Sequence, residues 1–164
     1  MAERFKVSNT VIIVRRREQE NKYLMIKRSP DSPVYPNTWS VPGGKVDASD
    51  FLREPDTTEG HHYAVLEAAA ARELSEEVHY FANPEELHYL CSLAYNNGAG
   101  IIVSFWMLDN GEGEPQCGDG VIEFAWMTLD EIKPLVTPMG LKEEIEWVDR
   151  LVPPTNPKWV FKYR

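Results

Sequence analysis

Apolar positions fall into short blocks separated by polar, Pro- or Gly-bearing segments, and the period inside each block assigns it. Thr10-Val11-Ile12-Ile13-Val14 and Lys22-Tyr23-Leu24-Met25-Ile26 are β-branched or aromatic runs joined by a polar turn, which predicts a hairpin. Ser29 to Asn37 carries three prolines in nine residues and predicts a loop. Trp39 to Val46 holds a short strand that ends in Pro42-Gly43-Gly44. From Asp47 to about His62 the chain is polar, carries Pro55 and Gly60 and has no sustained period. That predicts an exposed loop with a short helical turn at Phe51-Leu52-Arg53. The period becomes helical from Tyr63 to about His79, where Ala68 to Ala71 supply high propensity and neither Pro nor Gly interrupts. On that helix Ala64, Ala71, Leu74 and Val78 are expected to face the core. Leu87 to Tyr95, Ile101 to Leu108 and Val121 to Met127 predict further strands. A short helix from Leu129 to Leu135 and an amphipathic one from Met139 to Leu151 follow. The order implies an α/β fold, a mixed sheet with helices packed on it.

Length and composition narrow this further. Residues 1–164 are expected to form one domain, because 164 residues build a real core but fall short of two typical domains. The chain is 43% hydrophobic and 26% charged, which argues against disordered, collagenous and membrane classes. Its longest clearly apolar run, Ile101 to Leu108, is too short to span a bilayer. The first residues lack an apolar signal region, so a cytoplasmic location is expected. Cys91 and Cys117 form neither a CxxC pair nor part of a His-rich run and are read as reduced thiols. A formal net charge of -9 disfavours a nucleic-acid partner. The one dense basic run, Arg15-Arg16-Arg17, is read as a solvated hairpin end. An acidic chain can still bind a phosphorylated small molecule when divalent cations mediate the contact.

Candidate chemistry sits on the Tyr63–His79 helix, opposite its apolar side. Glu73, Glu76 and Glu77 are spaced i, i+3, i+4, which places three carboxylates on one strip. A merely solvated face would interleave Lys or Arg at that spacing, yet Arg72 is the only Lys or Arg between Ala64 and His79. Like charges so placed cost roughly 0.2–0.5 kcal/mol per pair. A hard divalent cation removes the penalty, and carboxylate oxygens suit magnesium or manganese.

Gly44 followed by Arg72-Glu73-Leu74-Ser75-Glu76-Glu77 resembles the Nudix box, G-x5-E-x7-R-E-U-x-E-E-x-G-U, where U is a bulky apolar residue. Lys27-Arg28, the run Trp39 to Val46 and the run Trp126 to Ile132 resemble other segments recurrent in that family, so the likeness covers roughly Val11 to Leu135. It implies a Nudix α/β/α sandwich and metal-dependent hydrolysis of a diphosphate linkage in a nucleoside diphosphate derivative. By resemblance Glu76 and Glu77 are the principal metal ligands. Glu73 is a further ligand or the base that deprotonates the attacking water, the Gly43 carbonyl is another ligand, and Arg72 orients the glutamates. Some family members add a carboxylate from outside the box, and Glu123 is favoured here over Glu114 and Asp119. Its plainer reading is an outward residue of an alternating strand shared with Val121 and Ala125. Arg28 and Lys45 are expected to meet phosphates. Trp39, with Tyr35 and Trp106, is considered for stacking on a base, although strand aromatics more often belong to the core.

The box departs from the family pattern in three ways. Gly44 and Arg72 stand twenty-eight positions apart against fourteen in the pattern, which implies an inserted loop at about 47–62 bordering the substrate pocket. Counted back from Arg72, the family's first Glu falls on Ala64, with Glu59 considered as a replacement. Counted forward, the later Gly falls on His79, read as a tolerated helix-end residue. The competing class is a Nudix-fold nucleotide-binding or sensor module without hydrolysis, which has no need of all three carboxylates. An isoprenoid diphosphate isomerase on the same fold requires a Cys and Glu arrangement that Cys91 and Cys117 do not form. The expected partner is a nucleotide-type small molecule, with a capped RNA end the one nucleic-acid exception. The family also raises the expectation of a homodimer.

Overall fold

The computed structural model describes residues 5–51 and 58–155. Six strands, β1 (Lys6–Arg15), β2 (Lys22–Arg28), β3 (Trp39–Ser40), β4 (His88–Ala94), β5 (Gly100–Leu108) and β6 (Val121–Met127), form one mixed sheet. Its order is β3-β2-β1-β5-β4, with β6 paired to β2. β1 and β2 pair antiparallel as the predicted hairpin, while β1 and β5 run parallel in continuous register from Lys6↔Gly100 to Val14↔Leu108. A central strand covered on both faces needs no polar alternation, and Val11, Ile12, Ile13 and Val14 are all fully buried.

Strand parity divides the core in two. Val11, Ile13, Leu24 and Ile26 pack with Ala70, Leu74 and Val78 of α1 (Val65–Val78). Ile12, Val14, Tyr23 and Met25 pack with Ile132 of α2 (Leu129–Ile132) and Ile145 and Val148 of α3 (Leu141–Leu151). The sheet therefore lies between helices, as the α/β/α expectation has it. Among the described residues, no helix is long and apolar enough to cross a membrane.

Several local readings are corrected. The buried stripe of α1 is Ala69, Ala70, Leu74 and Val78; Ala64 is exposed because it stands outside the helix as the N-cap, at φ 51°, and Ala71 sits on the flank. The helical turn is a 3-10 turn at Ala48–Asp50, earlier than the predicted 51–53, and Leu52 and Arg53 lie outside the described residues. α3 starts at Leu141 because Gly140, its N-cap, has φ 89°. α2 ends at Ile132, two residues ahead of Pro134, which has no N–H to offer a further turn. The arginine run is not a solvated end throughout. The Arg15 side chain, 14% exposed, lies 2.5 Å from Asp109 and 2.9 Å from Glu114, with its guanidinium 3.8 Å from the Trp126 ring centroid. Arg16 donates to the Pro153 carbonyl at 3.0 Å.

α1 closes on His79 at φ 50°, the left-handed position where the family pattern has Gly. A side chain there costs about 1–2 kcal/mol, partly offset by the greater unfolded-state freedom of Gly. His79→Gly is therefore expected to stabilise the fold by about 1 kcal/mol and raise Tm by about 2–4 °C. A calorimetric Tm equal to or below that of the parent would show that the imidazole makes a compensating contact.

Candidate active site

Below the strip of glutamates the chain from Pro42 to Val46 runs along β1. Val11 N–H donates to the Pro42 carbonyl (2.9 Å) and Asn9 N–H to the Gly44 carbonyl (2.8 Å). The peptide groups of Gly43 thus alternate away from β1, and its N–H donates to Glu77 Oε2 at 2.9 Å. Both glycines are there for close approach. A Cβ on Gly43 would stand 2.2 Å from the Asn9 carbonyl oxygen, and one on Gly44 would stand 2.3 Å from the Glu73 carboxyl carbon. A side chain at Gly43 drives the turn off the β1 backbone, whereas one at Gly44 displaces the Glu73 carboxylate from its place.

Arg72 organises the strip. Its Nη1 donates to Glu73 Oε1 (3.0 Å) and Glu76 Oε2 (2.9 Å), and its Nη2 to the Lys45 carbonyl (2.9 Å). Nε and Nη2 form a two-pronged contact with Asp50, at 2.6 and 3.2 Å. The Asp50 side chain is only 3% exposed and also accepts the Asp47 N–H at 2.8 Å. Its carboxyl is held below the ordinary range chiefly by the Arg72 hydrogen bonds, and the guanidinium is raised in return. Sequence reasoning missed this acid. Counting back from Arg72 lands on Ala64, whereas counting six positions forward from Gly44 lands on Asp50. The insertion thus follows the first acid and does not displace it. Glu59, the considered replacement, is 78% exposed and lies 3.8 Å from His61.

Burial pushes Glu73 up despite Arg72, and it pushes Glu77 up to about 7, opposed by the Gly43 N–H and helped by Glu73. As the side chains stand, among the described residues no three His, Cys, Asp or Glu groups converge on one point. Arg72 draws Glu73 and Glu76 one way and Gly43 draws Glu77 another. The donor set nevertheless fits a hard divalent cation. It consists of carboxylate oxygens, one of them buried against nothing more positive than a peptide N–H and the more distant Arg28. On the same side of β1, beneath the glycine turn, both Asn9 side-chain polar atoms are buried without a partner.

A cavity of about 260 Å³ opens on the other side of this turn, between the sheet and the start of α3. Gly43, Gly44, Lys45 and Arg28 line its edge. Arg28 is oriented by donating to the Val34 carbonyl (2.9 Å) and to Ser32 Oγ (2.7 Å). Tyr35 also lines the cavity. Trp39 and Trp106 pack instead on the α3 side of the core, with Lys27 Nζ 6.0 Å from the Trp39 ring centroid and His88 4.6 Å from Trp106. Glu123 pairs with Lys27, which pairs with Trp39, so the three form a row on the face opposite α1. A bulge beyond Lys27 breaks the alternation expected of Val121 and Glu123. Gly118 and Asp119 lie nearer the strip, their N–H groups donating to the Glu77 and Glu76 carbonyls at 2.8 and 2.9 Å. Glu114 pairs with Arg15 and accepts from Trp126 Nε1. Accordingly Glu123→Gln is expected to change kcat by less than about threefold, as for a surface position. A hundredfold loss of turnover would restore it to the reacting atoms.

Comparison with known proteins gives a match of the NUDIX domain family over residues 6–151. The comparison with curated proteins gives no match. Among solved structures, the NUDIX domain of Shewanella oneidensis NrtR complexed with ADP ribose is similar with a TM-score of 0.69 at 19% identity, over 90% of this chain and 89% of that one. A C. elegans Ap4A hydrolase binary complex is similar with a TM-score of 0.61 at 18% identity, over 90% and 99%. A MutT/nudix family protein from Enterococcus faecalis gives 0.59 at 22% identity, and the 78% of this chain that aligns spans 45% of that longer protein. At these identities the likeness is one of fold.

Proposed function

The chain belongs to the Nudix family, and from that premise we propose that it is a pyrophosphohydrolase that cleaves a diphosphate linkage in a nucleoside diphosphate derivative with magnesium or manganese. The observation that carries this reading is the Arg72-ordered glutamate strip closed against the Gly43-Gly44 turn, beside a cavity edged by Arg28 and Lys45. Glu76, Glu77 and the Gly43 carbonyl would hold the cation. When bound, it supplies neutralisation of the diphosphate oxygens and acidifies water that would otherwise be a poor nucleophile.

The remaining work falls to the chain's own groups. Arg28 and Lys45 draw the diphosphate to the cavity edge, where Arg28 is already oriented by the loop ahead of β3. The apolar part of the cavity takes the nucleoside. Glu73, whose affinity for a proton is raised by burial, accepts the proton of the attacking water, and Arg72 at 3.0 Å keeps that carboxylate aimed. A panel of nucleoside diphosphate derivatives incubated with magnesium or manganese, with products identified by mass, tests the reading. Metal-dependent cleavage of at least one member is expected. Tight binding with no product from any of them would make the chain a binding module.

A further inference from the structure

Across the cavity from the glycine turn lies a second acid that the reaction does not use. Glu144 is 4% exposed, on the face of α3 that meets the sheet, and it lines the cavity. Its Oε2 accepts from Ser104 Oγ at 2.8 Å, and Ser104 Oγ lies 3.0 Å from Thr10 Oγ1. Thr10 donating to Ser104 and Ser104 to Glu144 is a consistent order that pins the carboxylate and spends one of its oxygens. Oε1, on the Gly140 side, has no hydrogen-bond partner among the described residues. Burial pushes this carboxyl up, and the neighbouring charge is the like-signed Glu143.

The fold gains little from such a residue. A buried carboxylate paired only with a hydroxyl is costlier than an apolar side chain of the same size. The walls around it, Val41, Leu93, Ile102 and Leu141, suit the flat apolar body of a base. Resting on the reading that the chain handles nucleotide derivatives, we propose that Glu144 reads the base by accepting a hydrogen bond from an exocyclic amino group, and so selects amino-bearing nucleobases. A ring N–H flanked by carbonyls, as in uracil, brings lone pairs against the carboxylate. An exocyclic amine projects clear of the ring and reaches a recessed acceptor. Phosphate is repelled from this end, which leaves it beside Arg28 and Lys45.

Titration calorimetry in chelator tests this apart from turnover, using the 5′-monophosphates of adenosine and purine riboside, guanosine and inosine, and cytidine and uridine. The amino member of at least one pair is expected to bind about 10- to 100-fold more tightly, the worth of a hydrogen bond to a charged group. Glu144→Met, which removes the acceptor at similar length, should bring that ratio close to one without lowering the thermal midpoint. Equal binding within all three pairs, binding of none, or a ratio that survives Glu144→Met overturns the assignment. The wild-type ratios need no variant, so they decide the matter even if Glu144→Met folds poorly. Absence of cleavage in the metal-supplied panel would instead remove the hydrolase reading and leave these ratios standing.

Discussion

Glu77→Gln and Glu76→Gln are each expected to lower turnover on the order of 10²–10³-fold, since each removes a charged oxygen from the group that must neutralise the diphosphate. The stability readout separates this from misfolding. The Glu77 carboxyl is pushed up to about 7 by burial, against about 4.3 in an unfolded chain. Between those values the folded state binds the extra proton, so the contribution of this group to metal-free stability is complete below about pH 4.3 and is lost as pH rises through about 7, a change of about 3–4 kcal/mol. Glu77→Gln should abolish that decline and melt higher than the parent at neutral pH without metal. Magnesium or manganese should raise the parent's midpoint and leave that of Glu77→Gln nearly unmoved. Urea unfolding from pH 4 to 8, with and without chelator, checks both statements. Turnover at the parental rate in chelator, or in both variants, would sink the metal assignment.

Asp50→Asn should have the largest effect on the fold itself. The carboxylate is nearly sealed and takes two prongs of Arg72. Removing one partner of a buried pair strands the other, which costs about 3–5 kcal/mol in full burial. The Arg72 side chain is 25% exposed, so solvent screening reduces the expected loss to about 2–3 kcal/mol. Arg72 holds Glu73 and Glu76 as well, so kcat should fall by about tenfold or more with the geometry of the strip. Because Arg72 depresses the Asp50 carboxyl, this contribution is complete above the unfolded Asp value of about 3.9 and disappears as pH falls through the lower folded value. Asp50→Asn should lack that acid-range dependence. A urea midpoint equal to the parent's at pH 7 would show that the clamp is decorative.

Local period made most of the secondary structure legible. Strand alternation and β-branched runs mark β1, β2, β4, β5 and β6, and the Ala-rich stretch marks α1, because these preferences act between residues a few positions apart. The pairing of β1 with β5 was not legible. Those strands lie some ninety positions apart, and nothing in either says that the partner is parallel. The face of α1 was misjudged at Ala64 for a related reason, since a left-handed N-cap depends on where the chain arrives from. Arg15 reads as part of a charged run until Asp109, Glu114 and Trp126 are brought around it.

The strip of Glu73, Glu76 and Glu77 follows from helical spacing alone, and the close turn at Gly43-Gly44 is already suggested by two adjacent glycines. These are the parts of the site that the sequence by itself determined. Which acid clamps Arg72, which carboxylate is desolvated, and that Glu144 lies on the cavity wall between α3 and β5 were decided only by tertiary structure. Spacing along one helix is a matter of covalent geometry. The free energy of a charge, in contrast, is set by the solvent it loses and the partners it meets, and those arrive from elsewhere in the chain.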